Sequence, residues 1–384
     1  MQSRARSAAL ALITMASGCA IPLVGAEIGL RFLPVSESPE TTPVDSANPV
    51  IRFVPNRSYV TSIGARLGRP TRHRTNNAGW MSERDYDSTL TTPLLAVIGD
   101  SYVEALVVPP SGAMPARLAD AAGPAHRVYA FAMSGWPLSQ YLRVGEYVRG
   151  AYKPTALVIV VVGNDFDESL LRYRVSRWGL NFFAEHAGDS LVLTRADDLP
   201  KPWYWFVRRS ALFRYLRYNV HLNASPRALI DLVRRSPSQD DQYVGNVVRS
   251  ASPERIALSQ RAVDQFLREL PERSQLPRDK IVLVVDGMRP ELYDSAALAR
   301  NANSYFGRMR EYFISRGRES GYDVVDLQPI FSSHYRAHGQ RFESRNEAHW
   351  NVVGHAVAAN AVMQTRVFTT FSNSGPVTTA TPTP

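Results

Sequence analysis

Residues 94–102 read LLAVIGDSY, and this stretch decides the predicted fold. Five apolar residues come first, and Gly99-Asp100-Ser101 follows at once. A continuous apolar run of this length is typical of a strand buried on both faces of a parallel sheet. A strand that ends in Gly-Asp-Ser places the serine hydroxyl at the carboxyl edge of that sheet, where ligands bind in open α/β folds. The tripeptide is also ordinary turn chemistry, so the rest of the chain has to support the interpretation.

Further apolar runs follow this first one along the chain, and helical patterns lie between them. The runs cover residues 128–133, 157–162, 281–285 and, more weakly, 322–327, and the helical patterns cover residues 113–122, 138–150, 253–270 and 297–316. This alternation predicts an α/β fold, a three-layer α/β/α sandwich around a mostly parallel five-stranded sheet. The connection between the third and fourth strands is much longer than a crossover needs, which predicts an inserted helical cap over about residues 168–276.

Polar residues and glycines follow the predicted strands, where the catalytic groups of such folds lie. The second strand runs into Ser134-Gly135-Trp136, and the third runs into Gly163-Asn164-Asp165. Near the C-terminus, residues 347–351 read EAHWN and precede an apolar helical run. Asn351 is a favourable N-cap for that helix, which places His349 in the loop just before it.

These four blocks resemble those of the SGNH/GDSL hydrolase superfamily over about residues 93–367, because they occur in the order of that family and at the ends of the expected strands. The resemblance implies a flavodoxin-like sheet, a nucleophile at Ser101 and a general base at His349. It also implies an oxyanion hole formed by the backbone N–H groups of Ser101 and Gly135 and by the side-chain amide of Asn164. Residues 75–80 (TNNAGW) and 26–32 are similar to segments of membrane-anchored bacterial members.

Each of these residue types suits ester chemistry. Ser101 would attack an ester carbonyl, and His349 would accept its proton and later protonate the leaving alcohol. Loss of one oxyanion donor typically costs about 2.7–4 kcal/mol of transition-state stabilisation. Glycine at position 135 permits close approach of the backbone to the acyl carbon. No histidine spacing is typical of a zinc site, so we expect neither a metal nor a cofactor.

The acidic member of the triad departs from the superfamily pattern. Most members have aspartate three residues before the histidine, where this chain has Asn346. A subset has aspartate two residues before it, and Glu347 stands there. We favour Glu347 as the residue that orients the imidazole, and a Ser-His dyad with Asn346 orienting the ring is the alternative. Asp100 is expected to anchor the turn rather than to react.

Several residues beside the blocks could line the substrate site. The candidates are Trp136, Trp350, Asp286, Arg289 and Tyr293. For the two tryptophans, plain packing is an equally weighted alternative to a sugar-stacking or acyl-packing wall. We expect Asp165 and Asp167 to be solvated loop carboxylates and His355, on the final helix, to be structural.

The N-terminus predicts an exported protein. After Arg4 and Arg6, residues 7–26 carry no charge, which favours a signal-anchor over residues 1–33 with the following domain outside the cytoplasm. A cleaved signal peptide and a lipid anchor on Cys19, the single cysteine, are the alternatives. Composition then predicts a linker at residues 34–50, an N-terminal extension of the core at 51–92 and a disordered tail at 368–384.

The charge of the chain is concentrated in one segment. The 384 residues have a net charge of +9 and are 45% hydrophobic, which excludes a mainly disordered protein. Residues 201–235 hold eight basic side chains against one acidic, Asp231, and seven aromatic residues are interleaved with them. The basic residues are Lys201, Arg208, Arg209, Arg214, Arg217, Arg227, Arg234 and Arg235, and the aromatic ones are Trp203, Tyr204, Trp205, Phe206, Phe213, Tyr215 and Tyr218. A membrane interface and a solvated cap helix with packed aromatics are the two interpretations, and a nucleic-acid partner is not expected.

Together these patterns predict a serine esterase of the SGNH type in the bacterial cell envelope. The predicted substrate is an acyl ester, above all an acetyl ester, of cell-surface carbohydrate, with a lipid ester also open. The catalytic domain is expected in the periplasm, anchored to the inner membrane, or secreted if the signal is cleaved. An O-acyltransferase that uses the same triad and a catalytically silent polysaccharide-binding protein are the alternative functions.

Overall fold

The computed structural model describes residues 18, 20–46, 48–175, 178–187, 190–197, 206–220, 222, 243–244, 247–289, 291–344 and 347–375. The chain forms two compact units. The smaller unit combines Met1–Pro39, Tyr59–Arg72 and Pro200–Ser236. The larger unit combines Glu40–Ser58, His73–Leu199 and Pro237–Pro384, and it contains all four sequence blocks.

Strands and helices alternate through most of the chain. In chain order the strands are β1 Ser58–Ile63, β2 Gly68–Arg74, β3 Leu94–Gly99, β4 Arg127–Ala132, β5 Ala156–Val161, β6 Trp178–Glu185, β7 Leu191–Asp197, β8 Tyr243–Val244, β9 Val247–Val248, β10 Ile281–Val285, β11 Asp323–Asp326, β12 Glu343–Ser344 and β13 Glu347–Trp350. The helices are α1 (residues 20–30), α2 Ser101–Glu104, α3 Met114–Ala122, α4 Leu138–Tyr152, α5 Ala211–Arg214, α6 Pro253–Ser274, α7 Ser295–Asn301, α8 Tyr305–Glu319, α9 Leu327–His338, α10 Val352–Met363 and α11 Arg366–Ser372.

The central sheet has five strands in the order β11-β10-β5-β3-β4, and every neighbouring pair is parallel. The five predicted strands are therefore confirmed within one residue at either end, and the sheet is wholly rather than mostly parallel. β3 lies between β4 and β5, so the first strand after the N-terminal extension becomes an interior strand. The carboxyl ends of these three strands consequently meet at one edge of the sheet.

Both faces of the sheet are covered by apolar side chains. Alternate residues of β3 point to opposite faces, as in any strand. Ala96 and Ile98 pack in the cluster that includes Phe266 of α6 and Phe313 of α8. The other face of the sheet packs against α3, α10 and α11 through a second cluster, which includes Leu118, Val357 and Phe368. Full burial of a Leu, Ile or Phe side chain contributes about 1.5–3 kcal/mol to folding. Because helices cover both faces of the sheet, every position of a strand is buried, which explains the continuous apolar runs.

The predicted insertion differs from the structure at its C-terminal end. α6 packs Val263, Phe266 and Leu270 into the core, so it is the crossover helix between β5 and β10 rather than part of a cap. Between residues 168 and 252 the described part forms the antiparallel β6–β7 hairpin, the short β8–β9 pair, α5 and a π-helical turn. The prediction of a helical cap is therefore wrong for most of this described part, because an amphipathic pattern does not show what its apolar face covers.

The helix predicted over residues 297–316 is two helices, α7 and α8. The Ser304 hydroxyl accepts a hydrogen bond from the backbone N–H of Gly307 and caps the start of α8. The Asp294 side chain caps α7 in the same way through Ala296 N. The cap at Ser304 therefore begins a second helix inside a segment whose apolar periodicity reads as one helix.

The chain ends depart from the composition-based boundaries. α11 buries Val367, Phe368 and Phe371 in the core, so the ordered domain continues past residue 367, and residues 376–384 lie outside the described residues. Val35 and Val50, in the predicted linker, are buried. Residues 1–17 and 19, on which the signal-anchor prediction mostly rests, are not among the described residues. In the part that is described, no helix combines the length and the apolar character needed to cross a membrane.

The smaller unit holds the described part of the basic segment. Arg214 is paired with Glu37 at 3.1 Å, and Arg208 donates to the carbonyl oxygen of Ser38 at 3.1 Å. These two arginines are therefore bonded within their own unit rather than fully solvated. Phe206, by contrast, is 79% exposed. The remaining predictions for this segment that concern residues 201–205 and 223–235 lie outside the described residues.

Candidate active site

The nucleophile turn is formed by the residues that join β3 to α2. Asp100 caps α2, since its carboxylate accepts a 2.9 Å hydrogen bond from the backbone N–H of Tyr102. Gly99 is needed for the sharp turn, because a Cβ there would lie 2.4 Å from the Val103 side chain. Asp100 therefore anchors the turn, as the sequence predicts, and Ser101 begins the helix at the carboxyl edge of the sheet.

Ser101 and His349 meet at hydrogen-bond distance although 248 residues separate them. The distance from Ser101 Oγ to His349 Nε2 is 2.7 Å, which suits proton transfer from the hydroxyl to the imidazole. Ser101 Oγ also lies 3.2 Å from Asp100 Oδ2. Because a hydroxyl has a single proton, it can donate to only one of these two acceptors at a time.

His349 lies in a strand rather than in the predicted loop. It belongs to β13, which pairs with β12 in an antiparallel two-stranded sheet. The predicted cap is present, because Asn351 Oδ1 accepts hydrogen bonds from Val353 N at 2.9 Å and Gly354 N at 3.0 Å. The helix start and the strand pairing together hold the backbone on both sides of the imidazole.

The proposed oxyanion donors lie at the ends of the strands that flank β3. Gly135 follows β4 and adopts a φ of +79°, a conformation that glycine reaches without steric cost. Asn164 follows β5 in the 3-10 turn Gly163–Asp165. The side chain of Asn164 bonds to the carboxyl group of Glu168, and this contact opposes the rise that burial causes in the pKa of Glu168, to about 7. The fold thus brings all three predicted donors to the same edge.

Two acids beside Asn164 are buried rather than solvated, contrary to the sequence prediction. Asp165 and Asp167 are both fully inaccessible. Asp165 accepts hydrogen bonds from Val162 N at 2.9 Å and from the Tyr141 hydroxyl at 3.0 Å, and Asp167 is paired with Arg255. Buried polar groups require such partners, so these acids hold the Asn164 turn in place.

Glu104 is a site residue that the sequence does not reveal. It lies in α2, is 6% exposed, and its carboxylate accepts a 2.8 Å hydrogen bond from Ser134 N as well as a bond from the Ser134 hydroxyl. These bonds fix the residue next to the proposed donor Gly135. Only the pairing of β3 with β4 brings Glu104 to Ser134, so no local pattern could have identified the contact.

Two buried acids, Asp100 and Glu104, interact electrostatically with His349. Burial raises the pKa of Asp100 to about 6 and that of Glu104 to about 7. In both cases the nearby His349 lowers the pKa, so a positive imidazole and these carboxylates stabilise one another. Such a field suits a general base that becomes an imidazolium during the reaction.

The acid of the predicted triad stays a prediction. The backbone of Glu347 lies in β13, two residues before His349, but the structure does not describe its side chain. Asn346, the alternative partner of the imidazole, is also outside the described residues.

Four of the five candidate lining residues are buried and do not form a substrate wall. Trp136 and Trp350 are 0% exposed, which favours the packing alternative. Asp286 and Arg289 are 3% and 6% exposed, and Trp350 Nε1 donates to Asp286 Oδ1 at 2.9 Å.

Tyr293 is half-buried and donates its hydroxyl proton to Glu343. His355 is structural, as predicted. It is 1% exposed, its Nδ1 accepts from Met114 N at 3.2 Å, and burial lowers its pKa to about 3. Among the described residues there is no group of three or more histidine, cysteine or acidic side chains placed to hold a metal ion.

Comparisons with known proteins find similarity at the level of structure only. No protein-family model matches the chain, and no curated protein matches it. Among solved structures, an α/β hydrolase named LAE5 from the metagenome of Lake Arreo, Spain, is 15% identical, with a TM-score of 0.40, over 75% of this chain and 99% of its own. A protein from Parabacteroides merdae, named for its likeness to GDSL lipases, is 12% identical, with a TM-score of 0.39, over 74% of this chain and 100% of its own.

A third similar structure is a two-domain esterase active on acetylated mannans. It is 10% identical, with a TM-score of 0.33, and the match covers 76% of this chain and 53% of that one. Because the identities and TM-scores are low, the function proposed below is inferred from the residues of this chain.

We predict that Glu104→Gln changes the pH dependence of stability. Folding raises the pKa of Glu104 from 4.5 to about 7, so between these values the folded state binds more protons than the unfolded state. The wild type therefore loses stability as the pH rises, by up to about 3 kcal/mol at 1.36 kcal/mol per pKa unit. The Glu104→Gln variant has no carboxyl group at this position and does not lose this stability. Its unfolding free energy minus that of the wild type, measured by urea titration, should therefore increase from pH 4 to pH 8.

Glu83→Gln is the matched control, since Glu83 is exposed. It measures the pH dependence that replacing an exposed glutamate causes by itself, and this is subtracted from the value for Glu104→Gln. A flat difference for Glu104→Gln after this subtraction would show that burial does not disfavour the Glu104 carboxylate.

Proposed function

We propose that this chain is a serine ester hydrolase of the SGNH type that acts through an acyl-enzyme at Ser101. The observation that carries the proposal is the 2.7 Å contact between Ser101 Oγ and His349 Nε2 at the carboxyl edge of the sheet. Gly135 and Asn164, at the ends of the two adjacent strands, supply the complementary donors. Nucleophile, base and donors on three neighbouring strands are what acyl transfer requires.

In the first half of the reaction, Ser101 Oγ attacks the ester carbonyl and passes its proton to His349 Nε2. The negative charge that develops on the carbonyl oxygen is bound by the N–H groups of Ser101 and Gly135 and by the Asn164 amide. The imidazolium then donates its proton to the departing alcohol oxygen, and the acyl group remains on Ser101. Asp100 and Glu104 stabilise the imidazolium at this stage through their electrostatic interaction with His349.

In the second half, an acceptor hydroxyl attacks the acyl-enzyme. His349 takes the proton of the acceptor and passes it to Ser101 Oγ when the bond between the acyl carbon and Oγ breaks. Water as acceptor gives hydrolysis, and a sugar hydroxyl gives acyl transfer. The two reactions use the same residues, so access of water to the acyl-enzyme decides between them.

The proposed substrate class is an acyl ester, above all an acetyl ester, of cell-surface carbohydrate. Its support is the similarity of residues 26–32 and 75–80 to segments of membrane-anchored bacterial SGNH proteins.

We predict that a fluorophosphonate probe labels the wild-type chain at a single site, Ser101, and that Ser101→Ala abolishes labelling. Peptide mass spectrometry after proteolysis identifies the labelled residue. The same protein should release acetate from an activated acetyl ester. Absence of labelling in the folded wild type, with retained binding to polysaccharide, would instead establish a silent binding protein.

Repeating the acetyl-ester reaction with a glycan acceptor separates hydrolysis from transfer. The proposed hydrolase releases acetate at the same rate with and without glycan. Formation of acetylated glycan, with a matching decrease in released acetate, would identify the chain as an O-acyltransferase.

The identity of the acid in the triad is tested by a pair of variants, Glu347→Gln and Asn346→Ala. We predict that Glu347→Gln lowers the acylation rate at least tenfold, because the imidazolium loses its negative partner. Asn346→Ala should retain most of the rate. Stopped-flow measurement of the acylation burst provides both values. The reverse result, with loss only in Asn346→Ala, would support the Ser-His dyad.

We also propose that the chain is held at the inner membrane of a bacterial envelope, with the larger unit in the periplasm. The uncharged residues 7–26 after Arg4 and Arg6 support this location. An alkaline phosphatase fused after residue 384 should be active in the full chain and inactive when residues 1–33 are removed, because that reporter requires export for its disulfides. Equal activity of the two fusions would contradict the proposal.

A further inference from the structure

A buried arginine lies between the two halves of the active site. Arg289 follows β10, is 6% exposed, and pairs with Asp286 at 2.8 Å. It also donates to the Tyr102 hydroxyl at 3.0 Å and to the carbonyl oxygen of Ala348 at 2.9 Å. Tyr102 is the residue after the nucleophile, and Ala348 is the residue before the catalytic histidine.

The contacts close into a small network. The Tyr102 hydroxyl accepts from Arg289 and donates to the same Ala348 carbonyl at 3.1 Å. On the other side of His349, the indole of Trp350 donates to Asp286 at 2.9 Å. The Arg289–Asp286 pair therefore contacts the residue on each side of His349 as well as the neighbour of Ser101.

We propose that Arg289 is a positioning residue that sets the Ser101–His349 distance by joining the nucleophile turn to the histidine strand. The inference rests on the function proposed above and adds a residue that touches neither substrate nor reacting atoms. Its physical basis is the planar guanidinium, whose nitrogens bond in fixed directions to Asp286, Tyr102 and Ala348 simultaneously.

Burial gives these bonds their importance. The nucleophile turn and the histidine strand come from parts of the chain 248 residues apart, and each could shift without breaking its own secondary structure. Tyr102 is 3% exposed, so a lost bond there has no water to replace it. A shift of about 1 Å between nucleophile and base can lower a rate by about 100-fold.

Arg289→Lys tests the proposal because it keeps the charge beside Asp286 and removes the planar set of donors. Tyr102→Phe removes only the hydroxyl that links Arg289 to Ala348. Arg127→Lys is the matched control. Arg127 is the first residue of β4, at the amino edge of the sheet, and is 7% exposed. Its guanidinium donates to the carbonyl oxygens of Thr92 and Asp87.

For each variant we would measure labelling of Ser101 by a fluorophosphonate, kcat and KM for an activated acetyl ester, and the urea unfolding midpoint. We expect Arg289→Lys to lower the labelling rate and kcat at least tenfold, with KM changed less than about threefold, since positioning affects the transition state. Tyr102→Phe should lower both rates by a smaller factor. Arg127→Lys should lower either rate by less than twofold, even if it lowers the unfolding midpoint as much as Arg289→Lys does.

The outcomes separate the two proposals. If the wild type is not labelled, the proposed function fails and this inference fails with it. If the wild type is labelled and folded Arg289→Lys is labelled at the same rate, only the inference is overturned. A loss of rate in Arg127→Lys equal to that in Arg289→Lys would also overturn it, because general destabilisation would then explain both. If the Arg289→Lys variant does not fold, Tyr102→Phe decides. An unchanged rate of Ser101 labelling in Tyr102→Phe then overturns the inference.

Discussion

The common direction of the five strands is the constraint on which the rest of the structure depends. Because β3, β4 and β5 are adjacent and parallel, the residues that follow them lie at one edge. Ser101, Gly135 and Asn164 are distant along the chain, and the pairing of their strands places them at this edge. The apolar side chains on both faces pack the sheet between two helix layers, so a well-packed core supports this edge.

Buried acids are the second feature of this edge. Asp100, Glu104, Asp165, Asp167 and Glu168 lie within or beside the blocks, and burial raises the pKa of each. Every one of them accepts hydrogen bonds that hold a turn or a neighbouring block. Burying a carboxyl group is unfavourable, so the hydrogen bonds that these acids accept fix the turns at a cost in stability.

Much of this arrangement could be predicted from residue patterns. The continuous apolar runs identified all five strands of the sheet, since few other structures bury both faces of so short a segment. The order of the blocks pointed to Ser101, Gly135, Asn164 and His349, and the catalytic roles of these residues stay a prediction. Prediction failed for α6, whose amphipathic pattern suits a cap as well as a crossover. For Trp136 and Trp350 the sequence left packing and a substrate wall open, because proximity to the blocks says nothing about exposure.

The sequence by itself determined the strands, the chemical groups at their ends and the cap at Asn351, because each depends on residues close along the chain. Only the tertiary structure decided that Ser101 Oγ lies 2.7 Å from His349 Nε2, that Glu104 holds Ser134 and that Arg289 bonds to both Tyr102 and Ala348. These contacts join distant segments. Their distances follow from how the strands and helices pack, which no local pattern encodes.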